Sequence, residues 1–436
     1  MSSPAPIPTA QPWAAPTAHG PVDAALDLPG SKSMTARALI LSALSGEQST
    51  IAAPLLARDT ELMADGLRAL GCAVSTMDDQ RWVVRPGPLH GPAKIDVGLA
   101  GTVMRFLPVV AGLADGATVF DGDPAARVRP LGPLVAALRD LGVPVEAHGV
   151  GRLPLTVTGA GRIDGGPVTI DASASSQFIS ALLLAAPRFD NGLVIRHEGP
   201  PVPSAPHLRM TAEMLRAAGA GVDDSVPDLW AVEPGRLSGR SWVIEPDLSG
   251  AAPFLAAALV TGGVVRLPGW PPHSAQPVTE VRDLIARLGG TLVVGPDGIT
   301  VTGGGTVTGI DVDLSGLSEL TPMVAALAVL ADRPSQLRGI GHIRGHETDR
   351  ISALARELTA LGAGVDATDD GLVIRPRRLR ASTVHTYDDH RMAHAAAIIG
   401  LAVPGVRLTD VACTAKTMPQ FATLWSGMVN SAEDRR

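Results

Sequence analysis

Five segments of this chain end a Leu/Ala-rich helical pattern in glycine and pass directly into a strand-like run: GLRALGCAV, ALRDLGVPV, MLRAAGAGV, LIARLGGTL and ELTALGAGV. Their glycines, Gly71, Gly142, Gly219, Gly289 and Gly362, recur roughly every 70 to 77 residues, and self-similarity at a fixed period constrains the fold more than any local propensity. Glycine just past a helix end takes the left-handed backbone that other residues avoid. Hairpin signals follow, such as Pro296-Asp297-Gly298 and Asp369-Asp370-Gly371. A second family lies between the first, a short strand ending in small or polar residues that opens an Ala/Leu-rich helix. Its copies are LDLPGSKSMTARALIL, IDVGLAGTVMRFLPVV, IDASASSQFISALLL, IEPDLSGAAPFLAAAL, VDLSGLSELTPMVAAL and HTYDDHRMAHAAAII.

The two families define one β-α-β-α-β-β unit repeated six times, with the last copy cut short around Phe421–Met428. A chain of 436 residues is too long for one ordinary core. Glu245-Pro246-Asp247 falls near its midpoint, where a Pro-containing connection makes a natural boundary. The sequence therefore predicts an α/β fold of two domains, each of three βαβαββ repeats. The competing arrangement is a linear solenoid, which a unit of about 72 residues disfavours because it exceeds the usual solenoid repeat.

The net charge of −7 excludes generic binding to nucleic acid or to an anionic membrane, while leaving room for a local basic pocket. Two cysteines, Cys72 and Cys413, lack metal-ligand spacing and suit a reducing, cytoplasmic setting. Apolar runs of about 8 residues are too short to span a bilayer, and the start lacks a secretory pattern. Residues 1–20, rich in Pro and Ala, read as a flexible tail. Only three of 36 basic residues are lysines: Lys32, Lys94 and Lys416.

The polar residues concentrate at helix starts. The buried-type helices begin with Lys32, Ser33 and Arg37; Gly101, Thr102 and Arg105; Ser175, Ser176 and Gln177; Glu319; and His390 and Arg391. The other helices are preceded by Arg129, Ser204, His346-Glu347-Thr348-Asp349-Arg350 and Lys416-Thr417. Helix N-termini present unpaired N–H groups and partial positive charge, which suits phosphate and carboxylate. Arginine adds a two-pronged donor matched to both anions. Taken singly, the serines read as ordinary N-caps, HETDR as a solvated first turn and DDHR as a surface cluster. Their joint placement at equivalent points of a sixfold repeat points instead to one site for a polyanionic small molecule.

These residues carry a resemblance. LPGSKSMTAR at 28–37, LAGTVMRFLP at 99–108, RPLGPLVAAL at 129–138, SASSQF at 173–178, Ser204-Ala205-Pro206, GHETDR at 345–350, YDDHRM at 387–392 and CTAKTMPQF at 413–421 are similar, in order and over nearly the whole chain, to the EPSP synthase family of enolpyruvyl transferases. The resemblance implies two domains joined by a two-stranded hinge near 29–31 and 245–248, with residues 31–246 in one and 21–30 plus 247–436 in the other. It implies transfer of the enolpyruvyl group of phosphoenolpyruvate to the 5-hydroxyl of shikimate 3-phosphate, with release of phosphate, by a monomer needing no metal or organic cofactor. Residue by residue, it assigns shikimate 3-phosphate to Lys32, Ser33, Arg37, Ser175, Ser176, Gln177, Ser204, Glu319, His342 and His346. Phosphoenolpyruvate falls to Lys32, Gly101, Arg129, Gln177, Arg350, Arg391 and Lys416. Glu319 stands where the family has its base and Glu347 where it has its proton-transfer acid, with Lys32, His390 and Lys416 completing the catalytic set. His342 and His346 stand where Asn and Lys are common, and Glu319 where Asp is frequent. The cations of such a site, Arg37 and Arg105 among them, are expected to repel one another and favour an open state until an anion binds. The nearest alternatives are the UDP-N-acetylglucosamine enolpyruvyl transferases, which carry a loop cysteine, and a non-catalytic binding protein of the same fold.

Overall fold

The structure is a computed structural model that describes residues 11–78 and 80–431. Six small sheets form, five of four strands and one of three. The second repeat shows the common plan. Ala93–Asp96 runs parallel to Asp115–Asp121, and the buried helix Gly101–Gly112 connects them. The hairpin Val145–His148 and Arg152–Ala160 then adds antiparallel strands, in the order first, second, fourth, third. The connecting helix is apolar on every side because it packs against its counterparts from neighbouring repeats as well as its own sheet. The outer helices, such as Arg58–Ala69 and Arg350–Ala360, bury one face only. All five repeat glycines have positive φ, from 80° at Gly142 to 108° at Gly362, and each ends an outer helix as its sequence pattern predicts.

The apolar interior falls into two clusters. One is drawn from Met34 to Ile244. The other is drawn from Ala15 to Leu26 and from Leu248 to Val429. Each borrows a strand across the crossing of the chain. Asp23–Ala25 pairs in parallel with Val264–Pro268, and Ser241–Val243 pairs in parallel with Ser49–Ala52. Between these strands the chain passes over twice, with Gly30 bridged to Pro246, Ser31 N–H donating to the Glu245 carbonyl at 2.7 Å and Asp247 N–H donating to the Pro29 carbonyl at 3.0 Å.

The expectation of a flexible tail over residues 1–20 is corrected in its second half; residues 1–10 lie outside the described residues. Trp13–Ala14 pairs antiparallel with Arg407–Leu408, and Ala15 is buried in the C-terminal cluster. The reason is the truncated sixth repeat. It supplies only Thr383–Val384 and Arg407–Leu408, so an edge stays open that the N-terminal strand fills. No helix among the described residues is long and apolar enough to cross a membrane.

Candidate active site

The helix starts converge on a cleft of about 1380 Å³ walled by both halves of the chain. From the N-terminal half come Lys32, Ser33, Gly101, Arg105 and Arg129, then Ser175, Ser176 and Gln177, then Ser204. From the C-terminal half come Glu319, His342, His346, Glu347 and Arg391. A mostly apolar side chamber of about 500 Å³ opens beside it, sharing Ser33, Ser204 and Glu319.

The C-terminal wall is organised by one buried side chain. Arg350, at the first position of the helix Arg350–Ala360, donates Nε to Asp389 Oδ2 at 2.7 Å and Nη2 to Asp389 Oδ1 at 3.2 Å. The same guanidinium reaches Glu347 through Nη2 at 2.9 Å, Glu319 through Nη1 at 3.4 Å and His346 Nδ1 at 2.9 Å. Both predicted acid–base carboxylates thus hang on one guanidinium. Glu319 also accepts from Arg391 Nε at 2.8 Å, while Arg391 is steadied by the carbonyl and hydroxyl of Ser249 at 2.8 and 2.7 Å. Glu347 also accepts from Lys416 Nζ at 2.7 Å. Burial pushes both glutamates upward, but the adjoining cations win. Arg391 and Arg350 hold Glu319, and Lys416 and Arg350 hold Glu347, well below the usual carboxylate range.

The N-terminal wall is different in kind. Arg105 donates to Gln177 Oε1 at 2.8 Å and Arg129 to the Leu99 carbonyl at 3.3 Å, and neither has a carboxylate partner among the described residues. Their Nε groups are buried without any partner there, an unmet donor capacity on this side of the cleft. Burial and the neighbouring Arg129 push Arg105 well below its ordinary value. Ser176 stands at the cap position of the helix Gln177–Ala185 but makes no side-chain cap bond. The cap of Lys32–Leu44 is Ser31, not Ser33. The plain N-cap reading therefore fails for Ser33 and Ser176. Ser175 accepts from Gln177 N–H at 3.3 Å, and Ser204, at φ 54°, meets the Ser318 hydroxyl at 3.0 Å across the two halves.

Several placements differ from expectation. Arg37 does not line the cleft. Its helix is buried all round, so the long side chain reaches sideways to Thr211 at 2.8 Å, Ser180 at 3.3 Å and the carbonyls of Ser33 and His207 at 3.0 and 3.2 Å; burial lowers it to about 9. His390 does not line it either. Its ring is buried beneath the wall with neither nitrogen partnered among the described residues, and burial followed by Arg391 keeps it neutral. Lys416 and Arg350 sit one layer behind the wall, bonded to Glu347. The cations of the C-terminal wall are compensated rather than mutually repelling, because Glu319, Glu347 and Asp389 stand among them. Buried Asp59 lies 3.4 Å from Lys32 Nζ and 3.9 Å from Lys416 Nζ. Asp247 accepts from the Lys32 backbone N–H at 2.9 Å, joining two helix starts. Thr102, polar at its helix start, is a further wall residue, and so is His207, which no sequence pattern singles out. Asp59 and His207 look, in sequence, like ordinary first-turn residues, and only their long-range partners distinguish them.

The sequence matches the profile of EPSP synthase (3-phosphoshikimate 1-carboxyvinyltransferase) over residues 16–425. A 3-phosphoshikimate 1-carboxyvinyltransferase of Kocuria rhizophila is 50% identical over 430 residues, covering 96% of this chain and 97% of that one. Among solved structures, EPSP synthase from Acinetobacter baumannii has a TM-score of 0.78 at 22% identity, over 94% of this chain and 97% of its own. The enolpyruvyl transferase NikO from Streptomyces tendae has a TM-score of 0.75 at 17% identity, over 94% and 96%.

Proposed function

The chain belongs to the EPSP synthase family and is a transferase of the enolpyruvyl group from phosphoenolpyruvate to shikimate 3-phosphate, and we propose that the cleft described above performs this reaction with Glu319 and Glu347 as its proton-transfer pair. The observation that carries the proposal is the shared Arg350 guanidinium, which holds both carboxylates on the compensated wall, opposite the anion-seeking one. Ser33, Ser175, Ser176, Gln177 and Ser204 receive the phosphate and hydroxyls of shikimate 3-phosphate, with the neutral imidazoles of His342 and His346 opposite. Arg129, Arg391 and Lys32 line the cleft and receive the carboxylate and phosphate of phosphoenolpyruvate, Arg350 and Lys416 come into reach from one layer behind as Glu347 releases them, and Gly101 keeps the space beside Arg129. Arg37 acts through the packing of the helix beneath rather than by contact.

The unliganded charge pattern bears on the chemistry. Glu319 is ionised and able to accept the 5-hydroxyl proton as that oxygen bonds to C2 of the enolpyruvyl group. Glu347 is ionised only because Lys416 and Arg350 face it. An arriving dianion competes for the same two cations, raises the Glu347 carboxyl and lets it carry the proton delivered to C3. Cleavage of the C2–O bond to phosphate, with return of one C3 proton to Glu347, regenerates the vinyl group on the new ether. The enzyme works in this reading as a cytoplasmic monomer.

The test is the mass of the product. Incubation with phosphoenolpyruvate and shikimate 3-phosphate yields an acceptor heavier by one carboxyvinyl group, whereas UDP-N-acetylglucosamine in its place stays unchanged. Modification of the nucleotide sugar alone contradicts the proposal.

A further inference from the structure

The segment leading into the helix His390–Ala402 has an uncommon backbone. Tyr387 and Asp388 are consecutive, neither is glycine, and their φ angles are 54° and 53°. Residues with a Cβ enter this region at a cost and usually singly, and they remain there only where the surroundings over-determine them. Here the surroundings are one helix, Arg350–Ala360, which grips the segment at two points seven residues apart on the same face. At its start Arg350 forks onto Asp389 at 2.7 and 3.2 Å. Two turns on, buried Glu357 accepts the Tyr387 hydroxyl at 2.5 Å and the His385 N–H at 3.0 Å. Between them the Thr386 N–H donates to Thr409 Oγ1 at 3.2 Å.

Asp389 has a second task, since its Oδ1 accepts the Arg391 N–H at 2.9 Å. One carboxylate therefore sets the position of two arginines, and its own position depends on the left-handed pair that precedes it. We infer that Tyr387 and Glu357 are positioning residues for phosphoenolpyruvate, which hold the strained segment so that Asp389 keeps Arg350 and Arg391 aligned. Neither lines the cleft. Tyr387 is the chain's single tyrosine, and its hydroxyl closes the distal grip on the helix that carries Arg350. The inference rests on the assignment of those two arginines to phosphoenolpyruvate.

The experiment compares the full-length enzyme with Tyr387→Phe and with Tyr387→Phe/Asp388→Gly. Losing a hydrogen bond to a charged group predicts a KM for phosphoenolpyruvate raised about tenfold in the single variant, with kcat lowered as well because Arg350 also holds Glu319 and Glu347, and the KM for shikimate 3-phosphate within about twofold. Glycine removes the left-handed penalty at 388, so the double variant recovers the phosphoenolpyruvate KM to within about threefold of wild type. An unchanged KM, or an equal loss of affinity for both substrates with a lowered thermal midpoint, overturns the inference. Should Tyr387→Phe not fold, Glu357→Gln, which keeps the shape and weakens the same grip, is read by the same criteria. Wild-type protein that does not turn over phosphoenolpyruvate overturns the functional assignment as well, whereas normal turnover with an unaffected Tyr387→Phe overturns this inference alone.

Discussion

At the scale of single residues, the site depends on small distances between cations. A Cβ added at Gly101 would lie 2.9 Å from Arg105 Nη1 and 3.2 Å from Arg129 Nη2. Gly101→Ala must therefore displace the anion donors, and it raises the KM for phosphoenolpyruvate by roughly fivefold to thirtyfold, about 1–2 kcal/mol of binding. Steady-state kinetics read the effect, and unchanged constants contradict the placement. The histidines make a pH prediction. Burial and Arg350 hold His346 near about 3, and burial and Arg37 hold His207 near about 4, against about 6.5 in an unfolded chain. The unfolded state binds more protons below about pH 6.5, so the stability contributed by both is complete above that value and is lost as pH falls toward 4 and 3. Between about pH 6.5 and 4.5 the unliganded thermal midpoint falls, and it falls less steeply in His346→Asn. Equal slopes in the two proteins refute the assignment. Thirteen of the proposed site residues line the cleft, and all of these but His342 were legible as residue types at helix starts. Arg37 was not, because a helix buried on all sides turns its long side chain to neighbours that sequence spacing does not reveal. Asp59 was not, because its lysine partners are 27 and 357 residues away.

At the scale of elements, the repeat was legible because one physical need recurs, a helix that must stop and reverse into a hairpin. The five glycines meet that need in different surroundings, which separates backbone cost from crowding. Gly142, at φ 80°, has open space where a Cβ would go, whereas at Gly71, at φ 104°, a Cβ would come within 2.5 Å of the Pro88 carbonyl oxygen. Gly142→Ala costs about 1 kcal/mol from conformation alone, and Gly71→Ala costs more. Denaturant titration of both variants checks the order, and a larger loss at Gly142 contradicts it. Two short edge strands were less legible. Ser241–Val243 spans only three residues and Trp13–Ala14 only two, too short to show an alternating pattern. Their places are fixed by open sheet edges in repeats far away in sequence.

At the scale of the molecule, two apolar clusters meet across polar contacts. Ser204 N–H donates to the Ser315 carbonyl at 2.8 Å, Arg209 pairs with Glu280, and Lys416 approaches Asp59. Contacts of this kind leave relative motion of the halves as the default. In the proposed site shikimate 3-phosphate bridges Ser175–Gln177 on one side and His342 and His346 on the other, and small-angle scattering is then expected to show a smaller radius of gyration with the ligand than without it. An unchanged radius contradicts closure over the substrate. The central claim is that Glu347, held ionised by Lys416 and Arg350 until phosphoenolpyruvate arrives, carries the proton at the enol carbon. Phosphate release from phosphoenolpyruvate, with shikimate 3-phosphate present, tests it most directly in wild type and Glu347→Ala. The account predicts release in the wild type that depends on shikimate 3-phosphate, and a loss of about 10²–10⁴-fold in the variant with both substrates still bound. Release at the wild-type rate from Glu347→Ala would contradict it.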